Sequence, residues 1–219
     1  MNRDIHFAWF ENQLISLDMT NDAYTVFTER QSGELRRRAG DALAGGGRGV
    51  GMGFGIELPN DESMLEWIGA GPSRAYSGVS LNCWMLKESD VSFSANVLIV
   101  ARALALLHCV HRCAHAERMV GLKRLIERKR LARSKRGKVC VDLLIRSLNA
   151  ACMLYTKKTK CLEWGTVLVL LGFRYGHDLR LVVGVQSRPF YAHAWAELDG
   201  EVVGDERTLR DQLAVILEI

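Results

Sequence analysis

A cysteine, a histidine and an aspartate follow one another in about the last sixty residues of the chain, at Cys161, His193 and Asp205. A thiolate nucleophile needs a base to deprotonate the thiol, and the base needs a carboxylate that holds its imidazole in one tautomer. The three residue types therefore form a set that could carry acyl-enzyme chemistry. Their spacing alone is weak support, because an isolated cysteine is usually a core residue and a strand histidine is usually structural.

The residues around Cys161 predict a helix, with Thr159 as its N-cap and Gly176 as its C-terminal stop. Cys161 then lies in the first helical turn. There the free N–H groups, the helix dipole and nearby lysines favour the thiolate and lower the pKa of the thiol. Gly165, one turn further on, leaves space beside the sulfur for an approaching backbone.

His193 lies in a stretch of alternating residues that predicts a strand from Phe190 to Leu198. One face of this strand would carry alanines and pack on the core. The other face would carry the side chains that could do chemistry, namely Tyr191, His193, Trp195 and Glu197.

The hairpin after this strand must bring a carboxylate to His193. Asp199 is about 20 Å away along the strand, at roughly 3.3 Å per residue, so Asp205 must be the orienting acid. We predict a three-residue turn over residues 198–200 with positive φ at Gly200. The predicted register pairs Glu197 with Glu201, Trp195 with Val203, and His193 with Asp205.

About the last 60 residues resemble the lasso-peptide B proteins, which are leader peptidases with a transglutaminase-like core. The resemblance implies that Cys161, His193 and Asp205 are nucleophile, base and orienting acid. The segments that carry it are Cys161-Leu162, residues 181–185, residues 188–197, Asp205 and residues 210–216.

The resemblance also implies a function and partners. The protein would be a cysteine endopeptidase that removes the leader from a ribosomally made lasso-peptide precursor, before a partner cyclase resembling asparagine synthetases closes the macrolactam. ATP use would belong to that cyclase, and this chain would need no cofactor. Two alternatives stay open: an acyl-transfer enzyme with the same triad, and a non-catalytic scaffold that only presents the leader.

The N-terminal residues predict the elements that would present the precursor. Alternation over residues 5–28, with two turns, predicts a three-stranded antiparallel meander, and a helical pattern follows over residues 32–43. This order resembles the small winged-helix modules that bind leader peptides, usually by strand addition. A layer that merely caps the peptidase is the alternative. Substrate contacts are expected at Tyr24, Val26, Phe27 and Trp195.

The predicted fold class is α+β. It comprises a winged-helix-like leader-recognition module over residues 1–85 and a papain- or transglutaminase-like cysteine peptidase domain over residues 86–219, with a helical middle and an antiparallel sheet. A short helix is also expected over residues 61–68, and a long helix from about residue 91 to residue 117, with Ser89-Asp90 as its N-cap.

The composition, the cysteine spacing and the apolar runs indicate where the protein is located. The chain is 48% hydrophobic and 25% charged, which is ordinary for a globular protein. Its six cysteines lack the spacing of a secreted scaffold, and the N-terminus has no apolar signal core. The longest apolar run, residues 97–110, contains Arg102 and is too short for a membrane span. We therefore expect a cytoplasmic protein.

Three other patterns predict no site of their own. The glycines of residues 40–55 lack the Lys-Ser/Thr ending of a phosphate loop and favour a linker. The basic run of residues 123–138 has no aromatic residues for stacking on nucleic acid, so a solvated surface is expected, with a docking surface as the alternative. His108, His111 and His115 share a helix face but have no evident fourth ligand, so no metal is expected.

Overall fold

The computed structural model of the 219-residue chain describes residues 4–45, 61–79, 95–133 and 139–219. Within these ranges helices and strands alternate in blocks, and every strand pairing is antiparallel. The order is β1 (Ile5–Phe10), β2 (Gln13–Asp18), β3 (Ala23–Val26), α1 (Glu29–Gly45), α2 (Glu62–Ala70), α3 (Val97–Leu131), α4 (Val141–Leu154), α5 (Cys161–Arg174), β4 (Leu179–Ser187), β5 (Phe190–Leu198), β6 (Glu201–Val203), α6 (Leu209–Gln212) and β7 (Ala214–Glu218).

The N-terminal strands form a sheet of order β1-β2-β3, so the predicted meander is confirmed. Its two faces are buried against different partners. Phe7 and Trp9 pack with Leu35 of α1 and Ile68 of α2. The short helix expected over residues 61–68 is α2, and Asp61 is its N-cap. Alternate residues of β1 and β2 point the other way and join the main core, namely Ala8, Phe10, Ile15 and Leu17.

This shared core ties the N-terminal sheet to the rest of the protein, because an isolated N-terminal fragment would expose one apolar face of the sheet. Residues 74–79 add polar ties: the buried Gln186 side chain accepts from Val79 N at 2.7 Å and donates to Val79 O at 3.2 Å. The predicted domain boundary near residue 85 lies outside the described residues, and the winged-helix identity of the sheet and its helices stays a prediction.

The second sheet has the order β6-β5-β4-β7 and packs on α5. Every residue of α5 from Trp164 to Phe173 is buried. Two glycines let this helix approach the sheet closely: a Cβ at Gly165 would lie 2.9 Å from Leu181 Cδ1, and one at Gly172 would lie 2.4 Å from Leu179 Cδ1. The helix that carries Cys161 is therefore the central element of the core.

Helix α3 begins at Val97 with Asn96 as its N-cap. The predicted N-cap at Ser89-Asp90 lies outside the described residues. The helix continues past the expected end and breaks at Arg118, where φ is 56° and ψ is −149°. By length and composition α3 could cross a membrane, although a core helix of a soluble protein passes the same test. Its face with Ala103 and Leu107 packs in the core, and the cytoplasmic location stays a prediction.

The turn between β5 and β6 differs from the predicted one. Leu198 pairs with Glu201, so the turn has two residues, Asp199 and Gly200, with φ values of 51° and 86°. Asp-Gly is strongly favoured in such a turn because both positions require positive φ. The predicted three-residue turn and its register are wrong, and they would have placed Glu201 opposite the buried carboxylate of Glu197. The positive φ at Gly200 is confirmed.

Six Lys and Arg side chains of the basic run are described, five of them in α3, and four of the six form ion pairs within the fold: Lys123, Arg124, Arg130 and Arg133. Lys123 Nζ lies 2.9 Å from Asp4 Oδ2, and Arg133 Nη1 lies 2.8 Å from Asp178 Oδ2. These pairs favour the interpretation of a structural, solvated face. Residues 134–138 of the basic run and residues 46–60, which include most of the glycine-rich stretch, lie outside the described residues.

Candidate active site

Cys161 is the first residue of α5, one residue after the helix start that the sequence predicts. Lys160, not Thr159, is the N-cap, and Glu163 Oε2 accepts a hydrogen bond from Lys160 N at 2.9 Å. The same carboxylate group contacts α3, where His111 Nδ1 lies 3.2 Å from Glu163 Oε1. The start of the helix, and with it the thiol, is therefore fixed from two sides.

The thiol lies at an open edge of the second sheet. Strand β6 is only three residues long and its last residue, Val203, pairs with Ala196. The part of β5 around His193 and Ala194 therefore has no β6 partner. At this edge the backbone N–H of Ala194 donates to the sulfur of Cys161, as does the backbone N–H of Leu162 at the start of α5.

Asp205 reaches His193 from outside the strand. Its Oδ2 lies 2.7 Å from His193 Nε2, and its Oδ1 accepts from Glu206 N at 2.8 Å. The chain leaves β6 through Gly204, whose φ of 75° is in the left-handed region. Gly204 lies against the ring of Trp164, since an added Cβ would be 2.5 Å from Trp164 Cη2. This turn, not the predicted strand register, places the carboxylate.

The imidazole of His193 connects the carboxylate and the thiol. Its side chain is 3% exposed, and Nε2 is bonded to Asp205, which leaves Nδ1 for the hydrogen bond with Cys161. The ring also lies between those of Tyr191 and Trp195, with centroids 6.0 and 6.1 Å away. The predicted alternation of β5 is thus confirmed: these rings share one face, and the alanines pack on α5.

The electrostatics favour a thiolate and an imidazolium. Burial would raise the pKa of the Cys161 thiol, but hydrogen bonds and charge from His193, with the two backbone donors, lower it below its usual value. Burial would lower the pKa of His193, but Asp205 and Cys161 raise it to about 9. The ion pair can therefore exist near neutral pH, as an activated thiol nucleophile requires.

The structure separates the four predicted substrate contacts. Phe27 is 2% exposed inside the N-terminal cluster, and Trp195 is 0% exposed inside a cluster on the same face of the second sheet as His193. Neither side chain offers exposed surface to a peptide in this structure, which counts against these two predicted contacts. Tyr24 and Val26 of β3 are only partly buried. Periodicity predicts which residues share a face, but it does not say which face is covered.

Tyr24 is a predicted contact whose hydroxyl interacts electrostatically with Cys161. Its ring centroid is 5.5 Å from that of Phe190 at the start of β5. Burial raises the pKa of the Tyr24 hydroxyl, and charges on Asp22 and Cys161 raise it further. The N-terminal sheet therefore contributes a side chain to the surroundings of Cys161.

Sequence reasoning missed two residues that support the site. Asn149 of α4 is buried, and its Oδ1 accepts from Trp164 Nε1 at 2.9 Å, which fixes the ring under Gly204. Arg210 binds the carboxylate of Glu197. Arg210 lies in residues 210–216, a segment that resembles the lasso-peptide B proteins. The resemblance marks this segment as important but does not indicate that Arg210 binds Glu197. Asn149 carries no such signal.

In the part of the chain that the structure describes, no group of three His, Cys, Asp or Glu side chains is arranged to hold a metal ion. His108 and His115 are exposed, and His111 contacts Glu163 instead.

Comparison with known proteins finds matches to parts of this chain. The microcin J25-processing protein McjB of Escherichia coli is 40% identical over 62 residues, which are 28% of this chain and 30% of McjB. The match thus spans less than a third of that protein. No solved structure matches this chain significantly. The profile of the transglutaminase-like superfamily matches residues 101–218, more than half of the chain and all of the elements from α4 to β6. The chain belongs to the transglutaminase-like superfamily.

Proposed function

We propose that this protein is a cysteine endopeptidase that removes the leader from a ribosomally made lasso-peptide precursor. The observation that carries the proposal is the hydrogen-bonded series of a thiol at a helix start, a buried imidazole and a carboxylate. The substrate class is supported by the similarity to McjB, which is named as the processing protein of microcin J25. A cyclase that resembles asparagine synthetases is the proposed partner for the next step.

In the proposed mechanism the Cys161 thiolate attacks the carbonyl carbon of the scissile bond. The backbone N–H of Cys161, in the first helical turn, is positioned to donate to the developing oxyanion. His193 gives its proton to the leaving amine, which becomes the new amino terminus of the core peptide. His193 then takes a proton from water, and attack on the acyl-enzyme releases the leader as a carboxylic acid. Asp205 orients the imidazole throughout.

The proposed leader-binding surface is the outer edge of β3. This strand pairs with β2 on one side, and no described residue forms a ladder with its other side. An extended peptide could add to that edge by backbone hydrogen bonds. Tyr24 lies on this strand and near Cys161, so a leader paired with β3 would enter the site beside it. The partly buried Val26 is the second proposed contact.

The test is cleavage of a synthetic precursor by the full chain, followed by mass spectrometry. Cys161→Ala should abolish cleavage and leave leader binding intact, because only the nucleophile is lost. Cys152→Ala is the matched control: its thiol is partly buried, which raises the pKa of Cys152 to about 11, and we expect the variant to keep activity. Cleavage by Cys161→Ala at the wild-type rate would refute the mechanism.

The same products separate hydrolysis from acyl transfer. Hydrolysis adds one water across the cut bond, so leader and core masses sum to the precursor mass plus that of water. With an added primary amine, transfer would instead give a leader amide. A leader that carries the amine in preference to water would replace the proposed peptidase by an acyl-transfer enzyme.

A further inference from the structure

Glu197 lies on β5, on the same face as His193, and is the most buried carboxylate among the described residues, with 1% of its surface exposed. Three donors reach it. Arg210 donates from Nε to Oε1 at 2.7 Å and from Nη2 to Oε2 at 2.6 Å, and Trp195 Nε1 donates to Oε1 at 2.7 Å. A buried carboxylate is costly unless it is paired and hydrogen-bonded, and a bidentate arginine fixes its orientation.

The third donor, Trp195 Nε1, links the ion pair of Arg210 and Glu197 to His193. Trp195 is 0% exposed, and its ring lies 6.1 Å from the His193 ring at an interplanar angle of 27°. The hydrogen bond from Nε1 to Glu197 Oε1 fixes the orientation of the indole. Close packing against Gly184 also restricts the ring, since a Cβ at Gly184 would lie 2.7 Å from Trp195 Cη2.

Arg210 forms a bidentate ion pair with Glu197, and Glu197 accepts a hydrogen bond from the indole of Trp195. The indole in turn packs against the ring of His193 and restricts its orientation. His193 needs that orientation because its two nitrogens must face Asp205 and Cys161 at the same time. These contacts run along one face of β5, from Arg210 in α6 to His193, where β5 has no β6 partner.

We propose that Arg210 is a positioning residue for the peptidase reaction, acting through Glu197 and Trp195 on the orientation of His193. The proposal rests on the proposed function, since it concerns the same thiol and base. It differs from a purely structural ion pair in one respect: loss of the bidentate contact should change the state of the Cys161 thiol and not only the stability of the fold.

The central variant is Arg210→Lys, which keeps the charge but cannot give two parallel N–H groups to Glu197. The matched control is Arg180→Lys. Arg180 lies opposite Glu197 in the β4–β5 ladder, but its guanidinium donates to Glu218 at 2.8 Å. Arg210 also contacts Glu218, at 3.3 Å, so this control changes the shared surface ion pair and leaves the three donors to Glu197 in place. The readout is the rate at which iodoacetamide alkylates Cys161 across pH, resolved from the other cysteines by peptide mapping.

We expect Arg210→Lys to lower the alkylation rate of Cys161 near pH 6 by about 3- to 10-fold, because a rise of one unit in the thiol pKa lowers the thiolate fraction about tenfold. Arg180→Lys should keep the wild-type rate. In precursor cleavage the loss should fall on kcat with KM unchanged, since the substrate does not touch Arg210 in this mechanism.

A double-mutant cycle separates positioning from a structural role. Trp195→Phe keeps a ring beside His193 but removes the indole donor, so the path from Arg210 is cut. If the proposal is correct, Arg210→Lys has little further effect on alkylation in the Trp195→Phe background, although it still lowers stability to urea. Effects on the rate that multiply would overturn the proposal, as would a wild-type rate in Arg210→Lys.

An NMR titration of the His193 Cε1–H signal gives a readout that does not need a reactive thiol. The proposal expects the apparent pKa of His193 to fall in Arg210→Lys and not in Arg180→Lys. An unreactive Cys161 in the wild type would count against the proposed peptidase, whereas the His193 signal would still decide the role of Arg210: an unchanged titration in Arg210→Lys would overturn that role.

Discussion

Gly204→Ala should damage both the fold and the site, because this glycine places Asp205. Its φ is 75°, and a Cβ would lie 2.5 Å from Trp164 Cη2 and 3.3 Å from Ile145 Cδ1. The Trp164 ring cannot move away easily, since its Nε1 donates to the buried Asn149 at 2.9 Å. The backbone at residue 204 must therefore shift, and it carries the neighbouring carboxylate with it.

Gly200→Ala is a matched control in the same hairpin. Gly200 has a φ of 86°, but nothing lies within 4 Å of an added Cβ. Alanine there should cost only the left-handed backbone strain, about 1–2 kcal/mol. At Gly204 the same strain adds to overpacking of about 1–3 kcal/mol, for a total of roughly 2–5 kcal/mol. The difference between the two variants isolates the contact with Trp164.

Urea unfolding of both variants measures these free energies, and precursor cleavage measures the effect on the site. We expect Gly204→Ala to lose cleavage on the order of 100-fold, since a displacement of about 1 Å in a catalytic group has that effect. Gly200→Ala should cleave at the wild-type rate. Equal losses of stability, or equal cleavage rates in the two variants, would refute the role of Gly204.

Three further predictions concern the charges and the entrance of the site. The raised pKa of His193, about 9 against 6.5, means that its pairing with Asp205 stabilises the fold fully below about pH 6.5 and loses this effect as the pH rises through about 9. The stability gap in urea between the wild type and Asp205→Asn should therefore be roughly 1–3 kcal/mol near pH 6 and shrink above about pH 9; a gap that grows with pH would contradict the assignment. Iodoacetamide at mildly acidic pH should label Cys161 before Cys152, as read by peptide mapping, because burial raises the pKa of Cys152. Tyr24→Ala should weaken binding of a fluorescent leader peptide to the full chain about tenfold, while Tyr24→Phe keeps the ring and most of the affinity. If Tyr24→Ala bound the leader as tightly as the wild type, Tyr24 would not be part of the leader site.

Local patterns in the sequence were sufficient for the elements that carry the site. The helix at Cys161, the strand at His193 and its two faces depend on side-chain period and on capping, which involve residues close together in the chain. The N-terminal meander was likewise predicted from alternation and turns. In each case the determining interactions lie within a few residues.

Tertiary structure decided how the pieces meet. Asp205 contacts His193 because β6 ends early and Gly204 turns the chain over Trp164, whereas extrapolating a regular strand gave the wrong register. Phe27 and Trp195 are buried because elements distant in sequence cover them. These outcomes depend on packing between residues far apart in the chain, which determines where a strand ends and which of its faces is covered. The periodicity of the sequence predicts neither the end of a strand nor the covered face.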